Sequence, residues 1–312
     1  MERLATVPGS LGERIADVDP SSSPAGVRPH DHRGRADRAA FGHFPSADGD
    51  HGRREPERRE PERRALLAAD GTRVSALHWA PVRSTDAAGT AVVLAHGFSG
   101  SSSSPGLRRV ADVLTAAGAG VVALDFRGHG RSGGVSTVGD LEVLDLDAAV
   151  GWARLLGYPR VVTLGFSMGG SVVVRHAALL RGVDAVVSVS GPSRWYYRGT
   201  PAMRLLHRVV ERPSGRLVAR VGLRTRIAAD GWDPLPAEPR ALAGSIAPVP
   251  LLVVHGTDDR YFPLDHAEQL AAAGGPTTQL WVEPGFGHAE NAISADLTAR
   301  IWAWAADAVG GR

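Results

Sequence analysis

The 312-residue sequence contains no cysteine, and none of its 35 basic residues is a lysine. The absence of cysteine excludes disulfide bonds, thiolate metal sites and a cysteine nucleophile. Because arginine does not lose its proton in proteins, the isoelectric point is near 9.5 although the formal net charge is only +2. So small a net charge excludes a chain that acts mainly as a polycation on nucleic acid.

Long hydrophobic runs are also missing from the sequence. No stretch reaches the roughly 18 consecutive apolar residues of a membrane-spanning helix. The first residues lack the apolar segment of a signal peptide. We therefore expect a soluble, cytoplasmic protein without a membrane span. Its hydrophobic content of 43% is enough for a sizeable core.

Residues 1–64 are poor in large apolar side chains and rich in Pro, Ser, Gly, Asp and Arg. Such a segment cannot bury enough apolar area to offset its ordering entropy, so we predict a disordered tail. Its 12 arginines are balanced by 12 acidic residues, which argues against a nucleic-acid-binding arm. The spacing of His30, His32, His43 and His51 matches no metal-ligand pattern.

From residue 65 onward, strand patterns alternate with helical ones. Residues 65–80 predict two strands around the Asp70-Gly71 turn. Six continuous apolar runs predict strands buried on both faces. These runs cover residues 90–97, 121–126, 161–167, 185–191, 250–256 and 279–284, and helices are expected near 106–117, 140–156, 169–180, 264–273 and 292–308. The alternation predicts a mostly parallel sheet between helices, with residues 65–193 and 249–312 as the α/β core.

Residues 194–248 break this rhythm and predict a small helical cap over the strand ends, where ligand crevices form in open α/β sheets. The segment holds ten arginines against four acidic residues. These arginines form either a solvated helix face or an electropositive approach for anionic substrates. Four aromatic side chains could line a substrate pocket or form the core of the cap itself. They are Trp195, Tyr196, Tyr197 and Trp232.

The sharpest motif is the G-x-S-x-G sequence at 165–169, which follows a buried strand and opens a helix. This context predicts a nucleophile elbow, with Ser167 as the nucleophile on a tight turn between two glycines. The N–H of Met168 then becomes one donor of an oxyanion hole. The N–H of Phe98, in the loop after an earlier strand, is the second candidate donor. His96 in the same loop is expected to stabilise the turn and not to act as a base.

A serine hydroxyl needs a general base, and the base needs a carboxylate that orients it. His288 lies in a glycine-flanked loop after the last strand and is our candidate base. Asp259 is the candidate carboxylate, with Asp258 as the alternative, because both follow the strand at 250–256. The chain order Ser167, Asp259, His288 matches the order given for α/β-hydrolases.

Five motifs, HGFSGS, DFRGHGRSGG, GFSMGG, HGTDDRYFP and GFGHAE, together resemble the motif set of the α/β-hydrolase superfamily. The resemblance is nearest to capped bacterial serine esterases, the group with monoacylglycerol-lipase-like and cinnamoyl-esterase-like members. It implies an eight-stranded, mostly parallel sheet with helices on both faces and a helical cap after strand 6. It also implies that Asp125, Arg127, His129 and Ser132 anchor a loop.

The resemblance and the motifs together predict a carboxylic-ester hydrolase that forms an acyl-enzyme and needs neither metal nor cofactor. The expected partner is a small-molecule ester or thioester, and the oligomeric state is left open. A thioesterase, lactonase, peptidase or acyltransferase could use the same three residues. A non-catalytic binding protein on the same fold is a further alternative.

Overall fold

The computed structural model describes residues 60–82 and 89–310. Most of the predicted tail, with its four histidines, lies outside these residues. The first strand, β1, covers Glu62–Leu67 and so begins within the last residues of the predicted tail; the division of the chain at residue 64 otherwise stays a prediction. The side chains of β1 are almost all exposed, and its first residues carry no apolar pattern, whereas its later residues belong to the predicted pair of strands around the Asp70-Gly71 turn. It is held by backbone pairing with β2, in which Glu62 lies opposite His78.

The sheet has eight strands in the described part of the chain, in the spatial order β1-β2-β4-β3-β5-β6-β7-β8. Strand β2 runs antiparallel to both β1 and β4, and all other neighbours are parallel. This confirms the predicted fold class. The strands after β1 are β2 (Arg73–Trp79), β3 (Thr90–Ala95), β4 (Gly120–Asp125), β5 (Arg160–Phe166), β6 (Ala185–Val189), β7 (Leu251–Gly256) and β8 (Thr278–Glu283).

Helices connect the strands and cover the sheet. They are α1 (Pro105–Ala116), α2 (Glu142–Leu155), α3 (Met168–Leu179), α4 (Pro201–Glu211), α5 (Pro213–Gly222), α6 (Pro239–Leu242), α7 (Asp265–Gly274), α8 (Ala289–Ala292) and α9 (Ala295–Gly310). Short 3-10 turns cover Ala243–Ile246 and Gly275–Thr277. Among the described residues, no helix is both long enough and apolar enough to cross a bilayer.

The core follows the two-residue period of the central strands. Every residue of β3, β4, β6 and β7 is buried, as expected for strands covered on both faces. Alternate side chains such as Val92 and Leu94 of β3 pack in one cluster with Leu107 of α1 and Ile301 of α9. The buried interior thus holds the carboxyl ends of the parallel strands in fixed positions along one edge of the sheet.

The turn after β4 is anchored by buried polar side chains. The carboxylate of Asp125 accepts hydrogen bonds from backbone N–H groups of two loops. Arg127 is buried and forms ion pairs with Asp145 at 2.8 Å and with Asp70 at 2.7 Å. The hydroxyl of Ser132 accepts a hydrogen bond from a backbone N–H of β2 at 2.8 Å. This turn is therefore tied to the first strands and to α2.

Helices α4 and α5 lie between β6 and β7, where the sequence predicts the cap. Pro213 begins α5 and separates it from α4. Thr200 precedes α4, and its hydroxyl accepts from the N–H of Met203 at 3.3 Å, an N-cap interaction. The same hydroxyl donates to the carbonyl of Tyr261 at 2.9 Å. The start of the inserted helices is therefore bonded to the loop that follows β7.

Candidate active site

Ser167 lies at the sharp turn from β5 into α3. Its backbone has a φ of 53°, which is rare for a residue with a side chain. A Cβ at Gly165 would lie 2.1 Å from the carbonyl oxygen of Gly169, and one at Gly169 would lie 2.3 Å from the carbonyl oxygen of Ala95. Both glycines are therefore required by close backbone contacts. The turn presents the hydroxyl of Ser167 beyond the strand end.

Replacing Gly169 with alanine is expected to lower the free energy of unfolding by about 1–3 kcal/mol, because the added methyl group overlaps a backbone carbonyl. Gly151 in α2 is the matched control. A Cβ there meets no atom within 4 Å, and alanine is expected to raise the stability by about 0.5–1 kcal/mol. Urea denaturation of the two variants checks the contrast. Equal effects would show that the contact at Gly169 does not constrain the turn.

The structure brings Ser167, His288 and Asp259 together in one line of hydrogen bonds. The Nε2 atom of His288 lies 2.9 Å from Oγ of Ser167, and its Nδ1 atom lies 2.7 Å from Oδ2 of Asp259. An ionised carboxylate can only accept a hydrogen bond, so Nδ1 carries the proton and Nε2 is free to accept from the serine hydroxyl. These three side chains come from three loops at the same edge of the sheet.

Of the two neighbouring aspartates, Asp259 is the one that meets the histidine. Its side chain is fully buried, and Oδ1 accepts from the N–H groups of Tyr261 at 2.8 Å and Phe262 at 3.1 Å. Burial raises the pKa of Asp259, but the bonds from His288 and from these N–H groups outweigh it and lower the pKa below its ordinary value. Asp258 is exposed, and within the described part of the chain its carboxylate accepts only from the hydroxyl of the preceding threonine.

Two backbone N–H groups border the serine without an acceptor among the described residues. One belongs to Met168, at the first position of α3, where helix N–H groups have no intrahelical partner. The other belongs to Phe98, in the loop after β3. Ala95 is the last residue of β3, and its carbonyl oxygen lies close to Gly169. The loop after β3 therefore passes directly beside the turn at Ser167. That these two N–H groups form a two-donor oxyanion site stays a prediction.

Proteins of a known family are similar to this chain in sequence. The family described as serine aminopeptidase, S33, matches residues 86–233. A monoacylglycerol lipase of Mycolicibacterium smegmatis is 35% identical over an alignment of 254 residues, and the match covers 72% of this chain and 89% of the lipase. The chain belongs to the α/β-hydrolase superfamily. The predicted enzyme class, a carboxylic-ester hydrolase, is confirmed by this kinship.

Solved structures of other α/β-hydrolases share the fold of this hydrolase. An esterase of Pyrococcus furiosus superposes with a TM-score of 0.62 at 24% identity, covering 80% of this chain and 91% of the esterase. A serine hydrolase without lid from Xanthomonas campestris has a TM-score of 0.53 at 19% identity, covering 80% and 94% of the two chains. At these identities the likeness concerns the fold alone.

The four aromatic residues named as candidate pocket walls have different surroundings in the hydrolase. Trp195 is buried, donates to a backbone carbonyl at 3.1 Å and packs 5.7 Å from the ring of Trp232. Trp232 donates to another backbone carbonyl at 2.6 Å. Tyr197 packs edge-on against His266 at 4.6 Å. Tyr196 is 60% exposed. The two tryptophans thus have internal packing partners, and a role for any of the four in substrate binding stays a prediction.

Sequence reasoning missed two aromatic neighbours of His288. The ring of Tyr261 stacks on the imidazole at 4.3 Å, and the ring of Phe262 lies 5.8 Å away. They lie two and three residues after Asp259 in the same loop, and their N–H groups also donate to its carboxylate. Their position shortly after Asp259 in the sequence could have revealed them, since the loop that brings this carboxylate to the histidine also brings the residues that follow it. Tyr261 is 39% exposed, so it borders the solvent side of the site.

His96 is buried beside the elbow, and its contacts define its protonation. Nε2 accepts from the N–H of Phe126 at 3.0 Å, so Nδ1 carries the proton and donates to the carbonyl of Gly97 at 2.7 Å. Burial, with the nearby His129, lowers the pKa of His96 to about 3. His96 is therefore a neutral side chain that holds the Gly97 carbonyl.

Replacing His96 with glutamine is expected to flatten the pH dependence of stability. The unfolded chain takes up a proton on this imidazole near its ordinary pKa of about 6.5, whereas the folded chain does not. The stability that neutral His96 supports is therefore complete above that pH and falls by about 1.4 kcal/mol per pH unit below it. Urea denaturation between pH 7 and pH 5 measures the slope. Identical slopes in the wild type and the variant would contradict the assignment.

Within residues 60–82 and 89–310, no group of three or more histidine or acidic side chains is arranged to hold a metal ion. The polar groups around Ser167 are instead paired with one another or with backbone atoms. The chemistry available at this site is that of a hydroxyl, an imidazole, a carboxylate and backbone N–H groups.

Proposed function

We propose that this hydrolase cleaves a carboxylic ester by covalent acyl transfer to Ser167. The observation that carries the proposal is the continuous hydrogen-bonded line from Asp259 through His288 to Ser167, with distances of 2.7 and 2.9 Å. Both distances are within the range needed for proton transfer. The strained turn at Ser167 supports the same conclusion, because such strain concentrates at functional sites.

In the first half of the reaction, Oγ of Ser167 attacks the ester carbonyl carbon, and Nε2 of His288 takes the hydroxyl proton. The tetrahedral intermediate then collapses, and the imidazolium passes this proton to the leaving alcohol oxygen. Asp259 keeps Nδ1 protonated and stabilises the positive charge on the ring. The stacked ring of Tyr261 adds a cation–π contribution to the same charge.

In the second half, a water molecule attacks the acyl-enzyme while His288 takes its proton. The same proton returns to Oγ of Ser167 when the acid product leaves. In both halves the N–H groups of Phe98 and Met168 donate to the developing oxyanion. Removal of one such donor costs about 10²–10³ in kcat in enzymes of this kind.

The substrate we propose is a small-molecule ester with a lipid-like acyl group. The monoacylglycerol lipase of M. smegmatis, 35% identical to this chain, supports an ester of this type. The excess of arginine in residues 194–248 is compatible with a solvated face of the inserted helices. Thioesters, lactones, peptides and acyl acceptors other than water are the competing substrates of the same three residues.

The purified hydrolase is expected to cleave p-nitrophenyl esters and to be labelled by a fluorophosphonate at Ser167. A series from acetate to palmitate measures the preferred acyl length, and a p-nitroanilide of the preferred acid tests peptidase activity in parallel. An added alcohol detects acyl transfer through a new ester product. Labelling without hydrolysis of any ester would exclude ester cleavage as the function. Absence of labelling would exclude the covalent mechanism.

A further inference from the structure

Glu290 is a buried carboxylate to which the proposed acyl transfer assigns no step. It lies two residues after His288, in α8, and is 5% exposed. Its Oε1 atom accepts a hydrogen bond from the N–H of Gly97 at 3.2 Å. Gly97 immediately precedes Phe98, whose N–H is one of the two proposed oxyanion donors. Glu290 therefore touches the loop that forms the oxyanion hole.

The direction of the Phe98 N–H depends on the peptide that it shares with the Gly97 carbonyl. In a trans peptide the N–H and the C=O point in opposite directions. The carbonyl of Gly97 accepts from Nδ1 of His96 at 2.7 Å and from the N–H of Gly100 at 3.0 Å. The N–H of Phe98 consequently points away from these donors. His96 and Glu290 thus hold the two peptides that flank Gly97, one on each side.

The carboxylate also lies in the narrow space beside the nucleophile. A Cβ at Gly97 would be 3.3 Å from Oε2 of Glu290 and 3.3 Å from Cβ of Ser167. A Cβ at Gly100 would be 3.1 Å from Oε1 of Glu290. The lack of side chains at both glycines is what allows the carboxylate to reach the loop. Any movement of the carboxylate changes the surroundings of the oxyanion donor.

The packing of α8 does not itself require this side chain. A Cβ at Gly106 of α1 would lie 2.4 Å from the backbone oxygen of Glu290. The close approach of α8 to α1 is therefore a backbone contact that any residue at position 290 could make. The carboxylate adds a hydrogen bond to a different element, the loop after β3. This separates a positioning role of the side chain from a packing role of the helix.

We propose that Glu290 is a positioning residue of the oxyanion hole. By accepting the N–H of Gly97, its side chain keeps the following peptide in the orientation that aims the N–H of Phe98 at the reacting carbonyl. The inference rests on the proposed acyl transfer at Ser167. The role depends on the length of the Glu290 side chain, because the hydrogen bond to Gly97 is made by one oxygen at its end.

Two single replacements of Glu290 distinguish the effect of its side-chain length from the effect of its negative charge. Glutamine has the same length and keeps an acceptor oxygen without the charge, whereas aspartate keeps the charge but is one methylene shorter. We expect Glu290→Gln to retain kcat for a p-nitrophenyl ester within about threefold of the wild type. We expect Glu290→Asp to lower kcat by about tenfold or more with KM nearly unchanged, because the loss falls on the transition state. Asn291→Ala, at the exposed neighbouring position of α8, is the matched control.

A boronic acid that forms a tetrahedral adduct with Ser167 gives a second readout. Its affinity is expected to fall in Glu290→Asp in parallel with kcat, since the adduct uses the oxyanion donors. A merely structural role would lower the melting temperature without this selective loss. Equal activity of all variants, or a larger loss in Glu290→Gln than in Glu290→Asp, would overturn the inference while leaving ester hydrolysis intact. Failure of the wild type to react with a fluorophosphonate would overturn the proposed function and the inference with it.

Discussion

Replacing Ser167 with alanine is expected to lower kcat for ester hydrolysis by about four to six orders of magnitude. The alanine variant has no atom that can form the acyl-enzyme, so the only catalysis left is that of binding and of the oxyanion donors. The fold should persist, because Cβ and the backbone geometry at position 167 are retained. Initial rates with the preferred p-nitrophenyl ester measure the loss of kcat, and the melting temperature checks that the fold persists.

Ser171→Ala is the control for this replacement. Ser171 lies one turn further along α3, and its hydroxyl donates to the carbonyl of Pro192 at 2.7 Å and not to His288. Its loss is expected to affect stability more than kcat. A Ser167→Ala enzyme that keeps more than about a hundredth of the wild-type kcat would show that another group supplies the nucleophile.

Replacing Asp259 with asparagine is expected to lower kcat by about three to four orders of magnitude. The amide group can donate to Nδ1 of His288, which favours the tautomer with the proton on Nε2. That tautomer cannot accept the proton of Ser167. The amide also lacks the negative charge that stabilises the imidazolium. Steady-state kinetics on the same ester measure the loss, and fluorophosphonate labelling should slow in parallel.

The neighbouring aspartate provides a matched control within the same loop. Asp258→Asn makes the same chemical change one residue earlier, at an exposed side chain that contacts only the hydroxyl of Thr257 among the described residues. Its kcat is expected to stay within about threefold of the wild type, as for a surface change away from the chemistry. A larger loss in Asp258→Asn than in Asp259→Asn would assign the orienting carboxylate to position 258.

Much of the fold could be predicted because its signals are local. Continuous apolar runs mark the strands buried on both faces, and β7 was predicted at 250–256 and is found at Leu251–Gly256. Helical stretches between them such as α1 are amphipathic and long enough to recognise. The first residues of β1, at positions 62–64, carry no such signal, because the start of an exposed edge strand is held by backbone hydrogen bonds that any side chain permits. For this reason the strand begins before the predicted end of the tail.

The residues of the candidate site likewise differ in whether a local sequence signal reveals them. The nucleophile elbow is a short motif with a local conformational requirement, so Ser167 could be singled out from five residues. The choice between Asp258 and Asp259 depends on which side chain faces inward at the end of β7; the sequence favours Asp259 and keeps Asp258 as the alternative. Glu290 and Tyr261 were missed, because their contacts with Gly97 and His288 join distant parts of the chain or depend on ring orientation.

The sequence by itself determined the fold class, the position of the turn that carries Ser167 and the order of serine, aspartate and histidine along the chain, because apolar periodicity, glycine placement and motif order are properties of the chain. Only the tertiary structure decided which aspartate meets the histidine, how the Gly97 peptide is held and what lies beside the nucleophile. These features depend on hydrogen bonds a few ångströms long between residues as far apart as positions 97 and 290. Such contacts exist only once the packed sheet has brought its strand ends together.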